Sequence, residues 1–278
     1  MSPPASPAEP PSGPPASPGE PPSGVPAPPA GPLGRPRLHL RRTTSTNERA
    51  RLLAAAGAPH GTLVTADEQT AGRGRQGRAW TAPAGRALLC SVLVREPPRL
   101  LPLAAGAAVA GAVDAATDAD ATAAGATSAT DAAGRRAAIK WPNDILLGGL
   151  KVAGILVEGR PQERWAVVGI GLNVALAEAD FPPELVSRAG TLGLAPDRIE
   201  PTLQTVLAKL ERWLGADADA VLAEVRARDA LLGEPVRWAG GEGRGEGIDG
   251  DGRLVVLTPD RGRVTLDAGE VHLLRGQS

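Results

Sequence analysis

More than half of the 28 prolines in this chain fall between residue 1 and about residue 36, interleaved with Ser, Gly and Ala. Each proline fixes φ and removes a backbone N–H, so neither a helix nor a sheet ladder survives such a density. The segment also lacks the apolar surface that would offset its ordering entropy. It is expected to be a disordered, locally polyproline-like tail, either passive or a ligand for a proline-reading module. No DNA-reading helix-turn-helix fits within it. Folding is thereby confined to the chain from about Leu38 onward. Of 278 residues in all, 42% are hydrophobic, which supplies a core for one large domain or two smaller ones.

The formal net charge is −1, so no global field draws the chain to nucleic acid or membrane, and any anion site must be local. One cysteine, Cys90, excludes an internal disulfide framework and fits a reducing compartment. The N-terminus lacks the basic region and apolar run of a signal peptide. No uninterrupted apolar stretch reaches about 18 residues, so no spanning helix is expected. These features predict a cytoplasmic chain.

Ser45-Thr46-Asn47-Glu48 has the form of a capping box, with a helix following to about Ala56 and ending near Gly57. Strands are expected at Leu63 to Ala66, Ala87 to Val94, Ala137 to Trp141 and Trp165 to Val174. A buried helix covers about Leu100 to Ala116. Residues 117 to 134 hold almost no large apolar group and suggest a solvated low-complexity insertion. Asp144 to Leu147 and Leu150 to Glu158 flank Gly148-Gly149 as a hairpin. Helices are expected at about Pro201 to Trp213 and Asp217 to Leu231. From Glu234 the chain shortens into alternating runs: Pro235 to Trp238, Leu254 to Leu257 and Arg263 to Leu266. Turn signals such as Asp249-Gly250-Asp251-Gly252 divide them, and the pattern predicts a small antiparallel β-barrel of about 45 residues.

Only three asparagines and three lysines occur, and five of these six residues lie in four short stretches. Arg serves for nearly every other cation, and Arg and Lys are not interchangeable. Asn47 follows Ser45-Thr46, which alone is no more than a helix cap. Lys140-Trp141-Pro142-Asn143-Asp144 ends a strand, and Lys151 follows the glycine turn. Two ammonium groups at one bend suggest a converging cationic pocket, the alternative being a hairpin with solvated lysines. Gly169-Ile170-Gly171-Leu172-Asn173 puts glycines on an apolar strand, for a ligand's close approach or for a bulge. Gly72-Arg73-Gly74-Arg75-Gln76-Gly77-Arg78 formally contains G-x-G-x-x-G. The dinucleotide fingerprint is rejected, because its last glycine must open a helix and here Pro83 and Gly85 continue a loop. A mobile anion clamp fits better: glycine N–H groups converge on an anion and arginines add bidentate charge. A solvated basic loop and an RNA contact are the alternatives, although Trp80 is the one neighbouring aromatic.

Together and in this order, these stretches resemble biotin protein ligases. That family's marks are a Ser-Thr-Asn helix start, a GRGRxGRxW loop, KWPND followed by K-x-AGIL-x-E, and a G-x-G-x-N strand. Here they are Ser45 to Asn47, Gly72 to Trp80, Lys140 to Asp144, Lys151 to Glu158, and Gly169 to Asn173. The resemblance covers about residues 38 to 275. It implies an α+β fold: a mixed sheet with flanking helices like that of class II aminoacyl-tRNA synthetases, plus a small C-terminal SH3-like β-barrel. The implied division is a tail at 1–36, a catalytic domain at 37–232 and a C-terminal domain at 233–278. No repressor domain is implied.

The resemblance also implies ligation of biotin to a lysine of a biotin carboxyl carrier domain, through biotinyl-5′-AMP. ATP and biotin would be substrates and Mg²⁺ would ride on the phosphates, with no metal ligand assigned to the protein. By motif match, Lys151 bridges the biotin carboxylate and the α-phosphate, Arg75 joins it in catalysis, and Lys140 supports the phosphates. Asp144, counted with them as catalytic, lies with Asn143 near the metal-triphosphate or the incoming lysine. Ser45, Thr46, Asn47 and Gln69 would hydrogen-bond the ureido ring, with Gly72, Arg73, Gly74 and Gly154 completing the biotin site. Arg73, Arg75, Arg78, Trp80, Asn143 and Asn173 would face the nucleotide, Asn173 as a contact or a brace. Expected partners are the carrier domains of acyl-CoA or pyruvate carboxylases, with a monomer or homodimer and no nucleic acid or membrane. The rivals are a lipoate ligase of the same fold and, remotely, an RNA-binding module using the arginine loop.

Overall fold

The computed structural model describes residues 33–123 and 136–274. Most of the expected tail and residues 124–134 of the expected insertion therefore lie outside the described residues.

Seven strands form the main sheet: β1 (Arg37–Thr43), β2 (Leu63–Gln69), β3 (Ala87–Arg95), β4 (Ala138–Lys140), β5 (Asp144–Leu147), β6 (Leu150–Arg160) and β7 (Trp165–Asn173). Their order is β1-β2-β3-β7-β6-β5-β4. Only β1 and β2 run parallel, Arg37 opposite Leu63, because helix α1 (Thr46–Ala55) carries the chain over between them. The β5–β6 hairpin turns through Gly148 and Gly149 at φ 57° and 78°, a left-handed pair that glycine adopts without steric cost.

Side chains alternate across the central strands. Leu88, Cys90, Val92 and Val94 of β3, with Val168, Ile170 and Leu172 of β7, enter one large core. Helices α2 (Leu101–Ala123) and α3 (Ile199–Leu214) cover that face, with α4 (Ala218–Ala227) packed on α2. The Cys90 thiol is fully enclosed there, and burial pushes its pKa up to about 12, so it is chemically quiet. On the opposite face Leu93 and Val167 pack under Ala50 and Ala54 of α1, and Ala87 and Leu89 pack near Trp80. Between these two patches the same face offers only Ser91, Gly169 and Gly171. That gap in side-chain bulk is where the site forms.

α2 runs seven residues past Ala116, into the stretch expected to be a solvated insertion. Ala is the strongest helix former, and the run 115–123 continues the helix without needing an apolar stripe. α4 ends at Ala227, short of the expected Leu231.

The C-terminal strands are β8 (Pro235–Trp238), β9 (Gly241–Ile248), β10 (Leu254–Thr258), β11 (Gly262–Leu266) and β12 (Val271–Leu273). They form an antiparallel sheet in the order β11-β10-β9-β8-β12. No ladder joins β11 to β12 among the described residues, so the expected barrel is an open, SH3-like sheet. Val236, Ile248, Leu254, Val256 and Val271 belong to the same core cluster as α2 and the main sheet. Among the described residues, no helix is long and apolar enough to cross a membrane.

Candidate active site

Ser45, Thr46, Asn47, Gln69, Arg73, Gly74, Arg75, Arg78, Trp80, Lys140, Asn143, Asp144, Lys151 and Gly154 all line one cleft. The cleft is floored by the glycine face of β7. A Cβ at Gly169 would stand 2.0 Å from Asn47 Oδ1, and one at Gly171 2.5 Å from the Trp80 indole. Gly154 of β6, paired with Gly171, would meet the same indole at 3.1 Å. The glycines of β7 therefore seat an asparagine and an indole.

The polar end starts at the α1 cap. Ser45 Oγ accepts from Glu48 N at 3.5 Å, as the capping box requires. The Glu48 carboxylate does not return to the cap; it accepts from Thr44 Oγ1 at 2.6 Å, which lowers its pKa. Thr46 N donates to Gln69 Oε1 at 2.7 Å. Asn47 Nδ2 donates to Leu156 O at 3.2 Å and to Glu158 Oε2 at 2.8 Å. Ser91 Oγ lies 2.6 Å from Asn47 Oδ1 and 2.8 Å from Thr46 Oγ1. Because Asn47 Oδ1 only accepts, the Ser91 proton goes to it.

The charged end centres on Asp144. Its Oδ1 meets Lys151 Nζ at 2.7 Å and its Oδ2 meets Lys140 Nζ at 3.3 Å. Arg75 Nη1 donates to Asn143 Oδ1 at 3.4 Å. Three cations surround one carboxylate, leaving a local excess of two positive charges. Burial lowers the pKa of Lys140, with Asp144 opposing it and Lys151 and Arg78 adding to it. Burial likewise lowers Arg75, against Asp144. Between the two ends stands Trp80, with Lys151 Nζ 5.6 Å from its ring, within cation–π range. Its Nε1 is buried without a partner among the described residues.

The arginine loop is a folded flap. Gly74 N donates to Arg78 O at 2.7 Å and Trp80 N to Gly72 O at 2.9 Å, and Gln76 sits at φ 55°. Arg73 and Arg78 are exposed, and Arg75 is half-buried.

Asn173 takes a different position. Its Nδ2 donates to Gly190 O at 2.8 Å, and Gly190 N donates to Lys151 O at 2.8 Å. In this structure Asn173 holds the segment that pairs with the Lys151 backbone, and it lines an adjoining cleft. Three residues were missed by motif reading: Ser91, Glu158 as an Asn47 partner, and Glu270. Glu270 reaches the cleft from the C-terminal sheet and pairs with Arg78. His272 beside it has a lowered pKa, from burial and then from Lys140, Arg78, Arg188 and Arg237. Only the alternation of β3 could have flagged Ser91, as a lone hydroxyl in an apolar run.

Sequence comparison agrees with the geometry. The Biotin/lipoate A/B protein ligase family matches residues 39–174 and the Biotin protein ligase C terminal domain matches residues 231–274. The biotin–[acetyl-CoA-carboxylase] ligase of Mycobacterium tuberculosis is 35% identical over 84% of this chain and 87% of its own length. That of Paracoccus denitrificans is 39% identical over 84% and 98%. The bifunctional ligase/repressor BirA of Bacillus subtilis is 40% identical, but the match spans only 44% of its length. Among solved structures, the biotin protein ligase of Aquifex aeolicus in complex with biotin and ATP superposes with a TM-score of 0.68 at 27% identity, covering 87% of this chain and 99% of that one. The chain belongs to the biotin protein ligase family.

Proposed function

We propose that this protein is an ATP-dependent ligase that joins biotin to a lysine of a biotin carboxyl carrier domain through biotinyl-5′-AMP. The observation that carries the reading is one cleft holding an uncharged polar end and a cationic end, with an indole between them. Phosphoryl transfer is mostly positioning and charge neutralisation. A carboxylate and a triphosphate repel each other until cations separate them, and Lys151, Lys140 and Arg75 supply the local excess of charge. Lys151 leaves Asp144 to sit between the biotin carboxylate and the α-phosphate. Arg73 and Arg75 close the flap over the adenylate, and Trp80 on its Gly154–Gly171 seat walls the nucleotide. Closure keeps water from the mixed anhydride until a carrier lysine attacks. Asn143 and Asp144 face the phosphates or that lysine. Asn173 reaches the nucleotide or braces Lys151.

Mg²⁺ would arrive with the nucleotide, held mainly by its phosphate oxygens. The proposed acceptors are carriers of acyl-CoA or pyruvate carboxylases. The proposed division is a catalytic unit at 37–232 and a C-terminal unit at 233–278, working in the cytoplasm without nucleic acid. ATP–pyrophosphate exchange with biotin, lipoate or neither tests the chemistry. Exchange with biotin alone is expected; exchange with lipoate alone overturns the pocket assignment. Lys151→Ala is expected to abolish exchange, and near-normal turnover would remove its assigned role.

A further inference from the structure

The hydrogen-bond polarity of the uncharged end follows from which atoms are already committed. Both N–H bonds of Asn47 are spent, one on Leu156 O and one on the Glu158 carboxylate. Leu156 O and the ionised carboxylate are both pure acceptors, so the amide cannot turn over without losing both bonds. Toward the cleft Asn47 presents its Oδ1, whose second lone pair remains after the Ser91 bond. Gln69 is committed the opposite way: its Oε1 receives Thr46 N, leaving Nε2 as a donor without a partner among the described residues. Ser45 Oγ accepts at the cap, leaving its own proton to give. The cleft thus offers an acceptor from Asn47 beside donors from Gln69 and Ser45. A ligand edge carrying N–H next to C=O matches that pattern; a dithiolane ring, with neither, leaves all three unpaired, which is costly when buried.

We infer that Glu158 is a specificity-determining positioning residue: with its carboxylate on Asn47 Nδ2, it fixes the Asn47 amide so that the cleft selects the N–H/C=O edge of a cyclic urea. Glu158 lies on β6 behind Asn47 and is held in turn by Arg51 Nη1 at 2.9 Å. It is not among the residues lining the cleft, so its action passes through Asn47. The inference rests on the proposed biotin chemistry and names the residue that enforces it.

The test is steady-state kinetics of the full chain with Glu158→Ala and the near-isosteric Glu158→Gln, each variant's fold being followed by its melting temperature. Removing the carboxylate leaves the amide held by Leu156 O alone, so it turns over more readily. The biotin KM of Glu158→Ala is expected to rise about tenfold or more, with kcat within about threefold and the ATP KM within about twofold. Glu158→Gln, which offers Asn47 a donor as readily as an acceptor, is expected to fall between it and the unsubstituted protein. If Ala leaves the variant unfolded, Gln carries the decision: a biotin KM raised severalfold supports the inference. A biotin KM within twofold in the folded variants overturns it. So does a rise in biotin and ATP KM together, which marks a merely structural role. Biotin-dependent exchange by the unsubstituted protein separates the two claims. Its absence overturns the proposed function and this inference with it; its presence beside an unmoved KM overturns the role of Glu158 alone.

Discussion

A single methyl group at the floor of the cleft distinguishes its two ends. Gly171→Ala would drive a Cβ into the Trp80 indole, 2.5 Å away, and overpacking of this kind costs about 1–3 kcal/mol. The indole is the part that can move, so the expected result is an ATP KM raised tenfold or more with the biotin KM little changed; equal rises in both would mean the strand itself has shifted. A second residue-scale effect is pH dependence. Burial lowers the Lys140 pKa below the ordinary lysine value of 10.5. The unfolded chain therefore binds more protons between the folded and unfolded values, and stability rises with pH through that interval. Activity runs the other way, because Lys140 loses its charge earlier than a free lysine. Its deprotonation is expected to set the alkaline limb of kcat/KM, and Lys140→Arg to move that limb upward. An unmoved limb assigns it to another group. At this scale the sequence was informative where composition made a residue rare: Lys140, Lys151, Asn47 and Asn143 all reached the cleft. Ser91 stayed hidden, as did the role of Glu158 within its motif, because their partners lie more than 40 residues away.

The elements that the sequence announced were those with one dominant signal. The apolar runs of β3 and β7, the Ser45 cap and the double-glycine hairpin are local features and appear where expected. β1, Arg37-Leu38-His39-Leu40-Arg41-Arg42-Thr43, is an edge strand whose charges protect it from further pairing, so its alternation carries little apolar contrast. β9, Gly241-Glu242-Gly243-Arg244-Gly245-Glu246-Gly247-Ile248, is half glycine for two reasons: a Cβ at Gly243 or Gly245 would lie 2.4 Å from Leu257 O or 2.0 Å from Leu231 O, and Gly241 and Gly247 sit at φ 147° and 110°. Tertiary contact there overrides strand propensity. The arginine loop shows the converse, a strong local pattern whose side chains part company in the fold. Arg75 is the half-buried flap arginine, with Asn143 as its partner. Arg75→Gly is expected to leave adenylate formation measurable while the adenylate escapes, seen by mass spectrometry as indiscriminate biotinylation of bystander protein. Unchanged selectivity would show that retention lies elsewhere.

Across the whole molecule, one core joins parts that the sequence divides. Leu33, placed by its neighbours within the proline-rich tail, is fully buried in the main cluster. Gly34 N donates to Gly61 O at 2.7 Å, tying the chain to the turn before β2. The described core therefore reaches back to Leu33, ahead of Pro36, and burial of one leucine there outweighs the local composition. At the other end, Trp141 Nε1 donates to Gly252 O at 3.0 Å and Glu270 pairs with Arg78, so the C-terminal sheet is bonded to two site segments. Two truncations test the N-terminal boundary. Deleting residues 1–32 is expected to leave kcat and both KM values within about twofold, since a proline-rich segment of this composition contributes little to a folded core. Deleting residues 1–35 removes Leu33 as well. Losing a buried leucine costs about 2–5 kcal/mol, enough to lower the melting temperature by several degrees in a chain of this size. Equal melting temperatures for the two truncations would mean that Leu33 does not seal the core; a loss of activity already at residue 32 would give the proline-rich segment a role in the reaction.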